Sequence, residues 1–306
     1  MHSRHQMRNR VKAYCLGLVA FGCLVILFTP ARADTIYVSN YNDGTIDKVS
    51  SNGTVSVFAT GLNRPEGLAL DSSGYLYVAD SGNSCIMKFD PNGNSSVFAS
   101  TGQQAPSALA FDRSGNLYVS LFGRILEVTP SGSSSLFASS GVSAPGSLAF
   151  GPDGDLYVAN TGNNTIEKFD SSGRGAPFVT NGLSFATGLA FDSSGNLYVT
   201  DSGSGQIDKF DPSGNESVFA SGWYPTGTEG LAFDSDGKLN ALIDGAIFEF
   251  NASGVPTLLS FGLSSPMGIA IETVPEPDTR ALLLAGLIAA FTFHQAGAAV
   301  AKRSTR

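Results

Sequence analysis

The chain has 306 residues, 36 of them glycine, with 42% hydrophobic and 14% charged residues and a formal net charge of −8. The charge is uneven: residues 34–273 hold 9 Lys+Arg against 24 Asp+Glu, a net −15, between two basic ends. So acidic a body repels phosphate backbones and anionic lipid, which argues against nucleic acid as a partner, and its scarce charge and abundant glycine favour strands and turns over helices.

Residues 1–33 have the layout of a secretory signal peptide. Arg4, Arg8, Arg10 and Lys12 precede an apolar run from Ala13 to Phe28; Pro30 and "ARA" follow, with Ala31 and Ala33 at the small-residue cleavage positions. Translation starts at Met1 or Met7 without changing this reading. A retained anchor and a lipoprotein site at "FGC" are the alternatives, and the short run and clean "ARA" favour export. Removal of the signal takes Cys15 and Cys23, so Cys85 stays alone and no intramolecular disulfide forms. Within "CIMKF", Cys85 is expected to be a buried, inert thiol.

From residue 34 onward the dominant signal is internal repetition. The phrase "GLAFDSSGNLYVTDSGSGQIDKFDPSGNESVFASG" (188–222) recurs with variations. Its first strand recurs at Leu68, Leu109, Leu148, Leu189, Leu231 and Ile269, spaced by 38 to 42 residues. A second strand is marked by Tyr37, Tyr77, Tyr118, Tyr157 and Tyr198, with Asn240 as a degenerate sixth. A third ends in "KF" or its equivalents, and a fourth reads "VFA". Turns such as "DSSGN" and "DPSGN" join the strands, Asp initiating and Gly supplying positive φ.

A four-stranded unit of about 40 residues cannot bury both faces alone, so the units must stack. The chain enters at a second strand ("TIYVSN") and leaves after a lone first strand ("MGIAIE"). The two orphans complement each other and close a ring, which predicts an all-β, six-bladed β-propeller over residues 34–273. A monomer is expected. The units resemble NHL repeats, whose pattern reads "GLAxDxxGNLYVADxxNxxIxxF". That resemblance covers roughly 34–272, strongest in the second and fifth units. It weakens where "SLFGRI" and "NALIDGAI" depart from the pattern.

Residues 274–306 form a third region. "VPEP" is followed by 21 residues without formal charge (281–301), about 31 Å as a helix against a hydrocarbon core of roughly 30 Å. Lys302, Arg303 and Arg306 then favour a cytoplasmic end. Val274, Pro275, Glu276 and Pro277, with "LLLAGL" downstream, resemble the PEP-CTERM sorting signal of Gram-negative bacteria. The resemblance implies an exosortase-like processing enzyme as a partner, a transient inner-membrane anchor, and release to the cell surface or outside. An ordinary single-span anchor is the alternative.

Chemistry is sparse. All three histidines (His2, His5 and His294) lie outside 34–273, so no Ser-His-Asp triad, Cys-His pair or His-ligated metal can form there. Virginiamycin-lyase-like propellers, which resemble this fold, use a histidine as general acid/base, so their activity is not transferred. Asp71, Asp112, Asp192 and Asp234 recur as turn initiators, and Asn40, Asp80, Asn160 and Asp201 as strand-end caps.

Residues that break the repeat are better candidates. At the entry of the first strand the six units offer Glu66, Ser107, Gly146, Thr187, Glu229 and Met267. Glu66 and Glu229 are therefore expected to share one mouth of the channel. In regucalcin-like lactonases, which resemble this architecture, a metal ligand occupies the comparable position, implying Ca2+ held by Glu66 and Glu229. The plain alternative is that Glu66 pairs with Arg64 and Glu229 is solvated. Two functions follow: an extracellular binding or scaffold module for a polysaccharide or protein ligand, or a carboxylate–metal lactonase or hydrolase.

Overall fold

The computed structural model describes residues 34–223 and 228–273. The proposed signal, with Ala31 and Ala33, and the tail, with Val274, Pro275, Glu276, Pro277 and 281–301, lie outside the described residues. Among the described residues no helix is long and apolar enough to cross a membrane.

The body is a six-bladed propeller built from six four-stranded antiparallel sheets. Blade 1 is completed by the last strand: Pro266–Glu272 pairs with Thr35–Asn40, setting Ile36 opposite Ile271 and Val38 opposite Ile269. The innermost strands of blades 2 to 6 are Pro65–Leu70, Leu109–Phe111, Pro145–Phe150, Ala186–Phe191 and Thr228–Phe233. Each contacts the next, and Thr228–Phe233 meets Pro266–Glu272, so the ring closes.

Local chemistry sets each hairpin. Asp71 Oδ1 accepts the backbone N–H groups of Ser73 and Tyr75, and Asp192 Oδ1 does the same for Ser194 and Asn196. Gly74 then turns the chain at φ +79, a conformation open to glycine at little cost. Asp112 and Asp234 act in the same way, as expected of turn initiators. The strand-end residues Asn40, Asp80, Asn160 and Asp201 each accept a backbone N–H from the connection entering their own blade, at 2.7–3.2 Å.

Burial explains the repeated tyrosines. Six apolar clusters form, each between neighbouring blades; the last joins Ile36, Val38 and Ile269 of blade 1 to Leu242 and Ile247 of blade 6. Tyr77 makes edge-on contacts with Phe98 of its own blade and Phe111 of the next; Tyr118, Tyr157 and Tyr198 repeat the arrangement. Such pairs add about 0.5–1.5 kcal/mol beyond area burial. At the degenerate position, Asn240 Nδ2 donates to Asp234 Oδ2, as the Tyr198 hydroxyl donates to Asp192 Oδ2.

Two expectations change. Cys85 is half-buried rather than buried, because it begins its strand at the exit of a turn. Burial, then Asp80, raises its pKa, so the thiol form is favoured. Arg64 does not pair with Glu66: its backbone sits at φ +55, and its guanidinium lies over the Tyr41 ring, 5.8 Å from the centroid.

Candidate functional site

The repeat places one residue of each blade at the mouth of the axis. In blades 2, 4, 5 and 6 the ladder between the first two strands slips within Pro65–Leu68, Pro145–Ser147, Ala186–Gly188 and Thr228–Leu231. Blade 1 slips between Val38 and Asn40. A bulge of this kind leaves its residues outside the pairing and re-aims their side chains. Glu66, Gly146, Thr187, Glu229 and Met267 stand at these slips. With Ser107 they line one cavity of about 610 Å³, a volume within the usual range for small-molecule sites.

Small residues let the inner strands converge there. A Cβ on Gly268 would clash with the Glu66 carbonyl oxygen, and one on Gly67 with the backbone of Ser107 and Ala108. Buried hydroxyls then fix the two acidic residues. Ser39 Oγ donates to the Glu66 carbonyl and accepts the Gly268 N–H at 2.8 Å. Thr200 Oγ1 donates to the Glu229 carbonyl at 3.0 Å and accepts the Gly188 N–H. Ser39 and Thr200 were not singled out from sequence. Their signal is a hydroxyl where Ala79 and Ala159 stand in other, wholly buried second strands.

The two carboxyl groups differ in surroundings. Glu66 accepts a hydrogen bond from Ser81 Oγ at 2.8 Å. Glu229 is half-buried rather than solvated; burial first, then the charge of Glu66, pushes its pKa from 4.5 up to about 7. Glu229 therefore keeps its proton in acid and exchanges it near neutrality.

Two phenylalanines join the acids in the same cavity. Phe122 sits in the shortened hairpin of blade 3, where Leu121 pairs directly with Arg124. Phe185 precedes the inner strand of blade 5 at φ +65. They are 81% and 55% exposed. The departure at "SLFGRI" is visible in the sequence, but nothing there gives either ring a role.

As a metal centre the mouth is thin. Calcium takes six to eight oxygens, and among the described residues no group of three or more His, Cys, Asp or Glu gathers to hold a metal. Two carboxylates alone do not make up that donor set, so backbone carbonyls and water would have to supply the rest.

Comparison with known proteins agrees with this architecture. The family pattern described as SMP-30/Gluconolactonase/LRE-like region matches residues 25–123, and the NHL repeat matches 183–210. No curated protein sequence matches. Among solved structures, virginiamycin B lyase from Staphylococcus aureus aligns with a TM-score of 0.63 at 15% identity, covering 80% of this chain and 90% of that one. A chain of a nidogen/laminin complex aligns at TM-score 0.69 and 18% identity, covering 78% and 98%. Regucalcin from Agrobacterium tumefaciens, described as a calcium-binding protein, aligns at 0.57 and 17%, covering 67% and 76%. At these identities the likeness is one of fold, and the chain is an NHL-like six-bladed β-propeller.

Proposed function

We propose that this chain is an exported binding propeller, acting at the cell surface or in the extracellular matrix, whose axial mouth holds the ligand. One observation carries the reading. Six equivalent strand entries line a single cavity of ligand size, and the only two that depart from small or apolar residues and hydroxyls are Glu66 and Glu229. Fold alone licenses no chemistry. The lyase neighbours do not supply it, since a His-to-Ala variant of virginiamycin B lyase is described as catalytically inactive and residues 34–273 contain no histidine.

A second reading, a carboxylate-dependent lactonase, has one specific support. Glu229, held near 7, sits where a general acid or base works best at neutral pH, and the gluconolactonase-type match spans Glu66. Hydrolysis of δ-gluconolactone with and without Ca2+, Mn2+ or Zn2+ separates the two. The binding reading expects no turnover above background, from wild type or from the Glu66→Gln/Glu229→Gln double variant. Metal-dependent turnover by wild type, lost in the double variant, overturns it.

Export rests on the signal layout of residues 1–33 and the Pro-Glu-Pro tail. In an exosortase-bearing host, mass spectrometry of the released protein should find no peptide beyond about residue 280. Membrane-bound chain retaining Arg306 favours the plain anchor instead.

A further inference from the structure

We propose that the mouth binds an organic ammonium ion with an apolar body, its cationic end between Glu66 and Glu229 and its body against Phe122 and Phe185. The inference rests on reading the mouth as a ligand site and names the ligand's chemistry. It starts from ring order. Blade 2 lies opposite blade 5 in a ring of six, and blade 3 opposite blade 6. Glu66 therefore faces the Phe185 side of the mouth and Glu229 the Phe122 side. The acids flank blade 1 and the phenyl rings flank blade 4, so the cavity is acidic on one side and aromatic on the other.

All four residues break the repeat where the repeat has no structural need of them. At the position of Phe185 the other described blades carry Arg64, Ala105, Ala144 and Ser265, and positive φ is rare for a bulky side chain. The ring is more than half exposed there. Phe122 replaces a longer polar turn with a bare ring. A single exposed phenylalanine means little, but two on one wall of a cavity present a surface for an apolar ligand body.

The acid pair sets the sign of the charge. Burial, and then the charge of Glu66, raises the pKa of Glu229, and a cation between the two carboxylates offsets both the lost hydration and the repulsion. A bare metal ion would leave most of the 610 Å³ and both phenyl rings unused. Ser107 also lines the cavity and offers a hydroxyl oxygen to an ammonium group or a bridging water, whereas the Thr187 hydroxyl is engaged with Thr200 and Ser202. The charged group facing Glu229 is Glu66; the flanking strand entries, Thr187 and Met267, carry no charge. Below about pH 7 an ammonium ligand must displace the Glu229 proton, so its apparent affinity falls about tenfold per pH unit.

The test is calorimetric titration of the protein with 2-phenylethylammonium, its neutral counterpart 2-phenylethanol, methylammonium, cellobiose and calcium chloride. The proposal expects 2-phenylethylammonium to bind at least about tenfold more tightly than each of the others at pH 7.5. Proton release should be detectable in buffers of different ionisation enthalpy at pH 6.5 and vanish at pH 8.5. Glu66→Gln/Glu229→Gln should weaken binding by at least about tenfold, and Phe122→Ser/Phe185→Ser by a similar factor while leaving the proton release intact. Equal or tighter binding of 2-phenylethanol or cellobiose overturns the ammonium assignment but leaves the mouth a binding site. A calcium response matching that of the amine, lost in the Glu double variant, overturns it in favour of a metal. Absence of binding by every probe overturns the inference, and if lactone turnover accompanies it, the binding reading falls as well.

Discussion

Asp208 is the residue whose chemistry is least settled by its neighbours. It and Asp201 are fully buried in blade 5, on adjacent strands whose register places them as diagonal neighbours on one face. Asp201 Oδ2 and Asp208 Oδ1 have no hydrogen-bond partner. In blade 1 the corresponding pair is Asn40 and Asp47, and there the Asn40 amide donates to the Asp47 carboxylate at 2.8 Å. Blade 5 thus carries an acid where blade 1 has a donor. Burial, then Asp201, then Glu216, push the Asp208 pKa from 3.8 to about 7. The folded state therefore binds a proton that the unfolded state releases near pH 4. The stability tied to that proton is complete below pH 4 and is lost as pH rises through about 7. Asp201→Asn should restore the amide–carboxylate pair. In thermal unfolding from pH 4 to 9 the variant is expected to flatten the decline and raise Tm at pH 8, by about 2–4 °C for each kcal/mol recovered. Glu229 titrates over the same window, so the comparison is made in a Glu229→Gln background. An unchanged slope, or a lower Tm at pH 8, would sink the idea.

At the scale of strands and turns, the repeat was legible because each piece has a local cause. Asp-initiated turns, tyrosine second strands and "VFA" outer strands name themselves wherever they recur, and the orphan strands at the two ends specify closure. The shared mouth was legible for the same reason, since equivalent entries of a closed ring converge; the metal assigned to it was not tested by the architecture. What the sequence hid is what depends on register. The slips at Pro65–Leu68 and Thr228–Leu231 that turn Glu66 and Glu229 to the mouth have no residue signature of their own. Nor do the hydroxyls of Ser39 and Thr200 that hold the glutamate carbonyls, because a serine in a strand reads as solvent-facing until the blade stacks. Phe185 was hidden by its place outside the recurring strand letters. The Arg64–Glu66 pairing assumed ordinary strand alternation, and the left-handed backbone at Arg64 breaks that alternation.

For the whole molecule the question is whether the ring is one cooperative unit with a seam as strong as its other interfaces. The seam joins the last inner strand, Pro266–Glu272, to the first strand of the body and to blade 6, so its contacts span the described body. Ile269 lies in the cluster at that seam, and Leu148 occupies the equivalent place between blades 3 and 4; both are buried to a similar degree. If closure makes the six interfaces alike, Ile269→Ala and Leu148→Ala should each cost about 2–5 kcal/mol. Both should keep a single thermal transition and lower Tm by similar amounts. Deleting residues 267–272 is a harsher test. It bares the edge of Thr35–Asn40 for pairing with other chains and removes the Gly268 N–H that anchors Ser39 beneath Glu66. The expected outcome is loss of the monomer peak in size-exclusion chromatography. A variant Ile269→Ala that melts in two steps, or a deletion that stays monomeric at unchanged Tm, would mean that the ring is held by its blades singly and not by its closure.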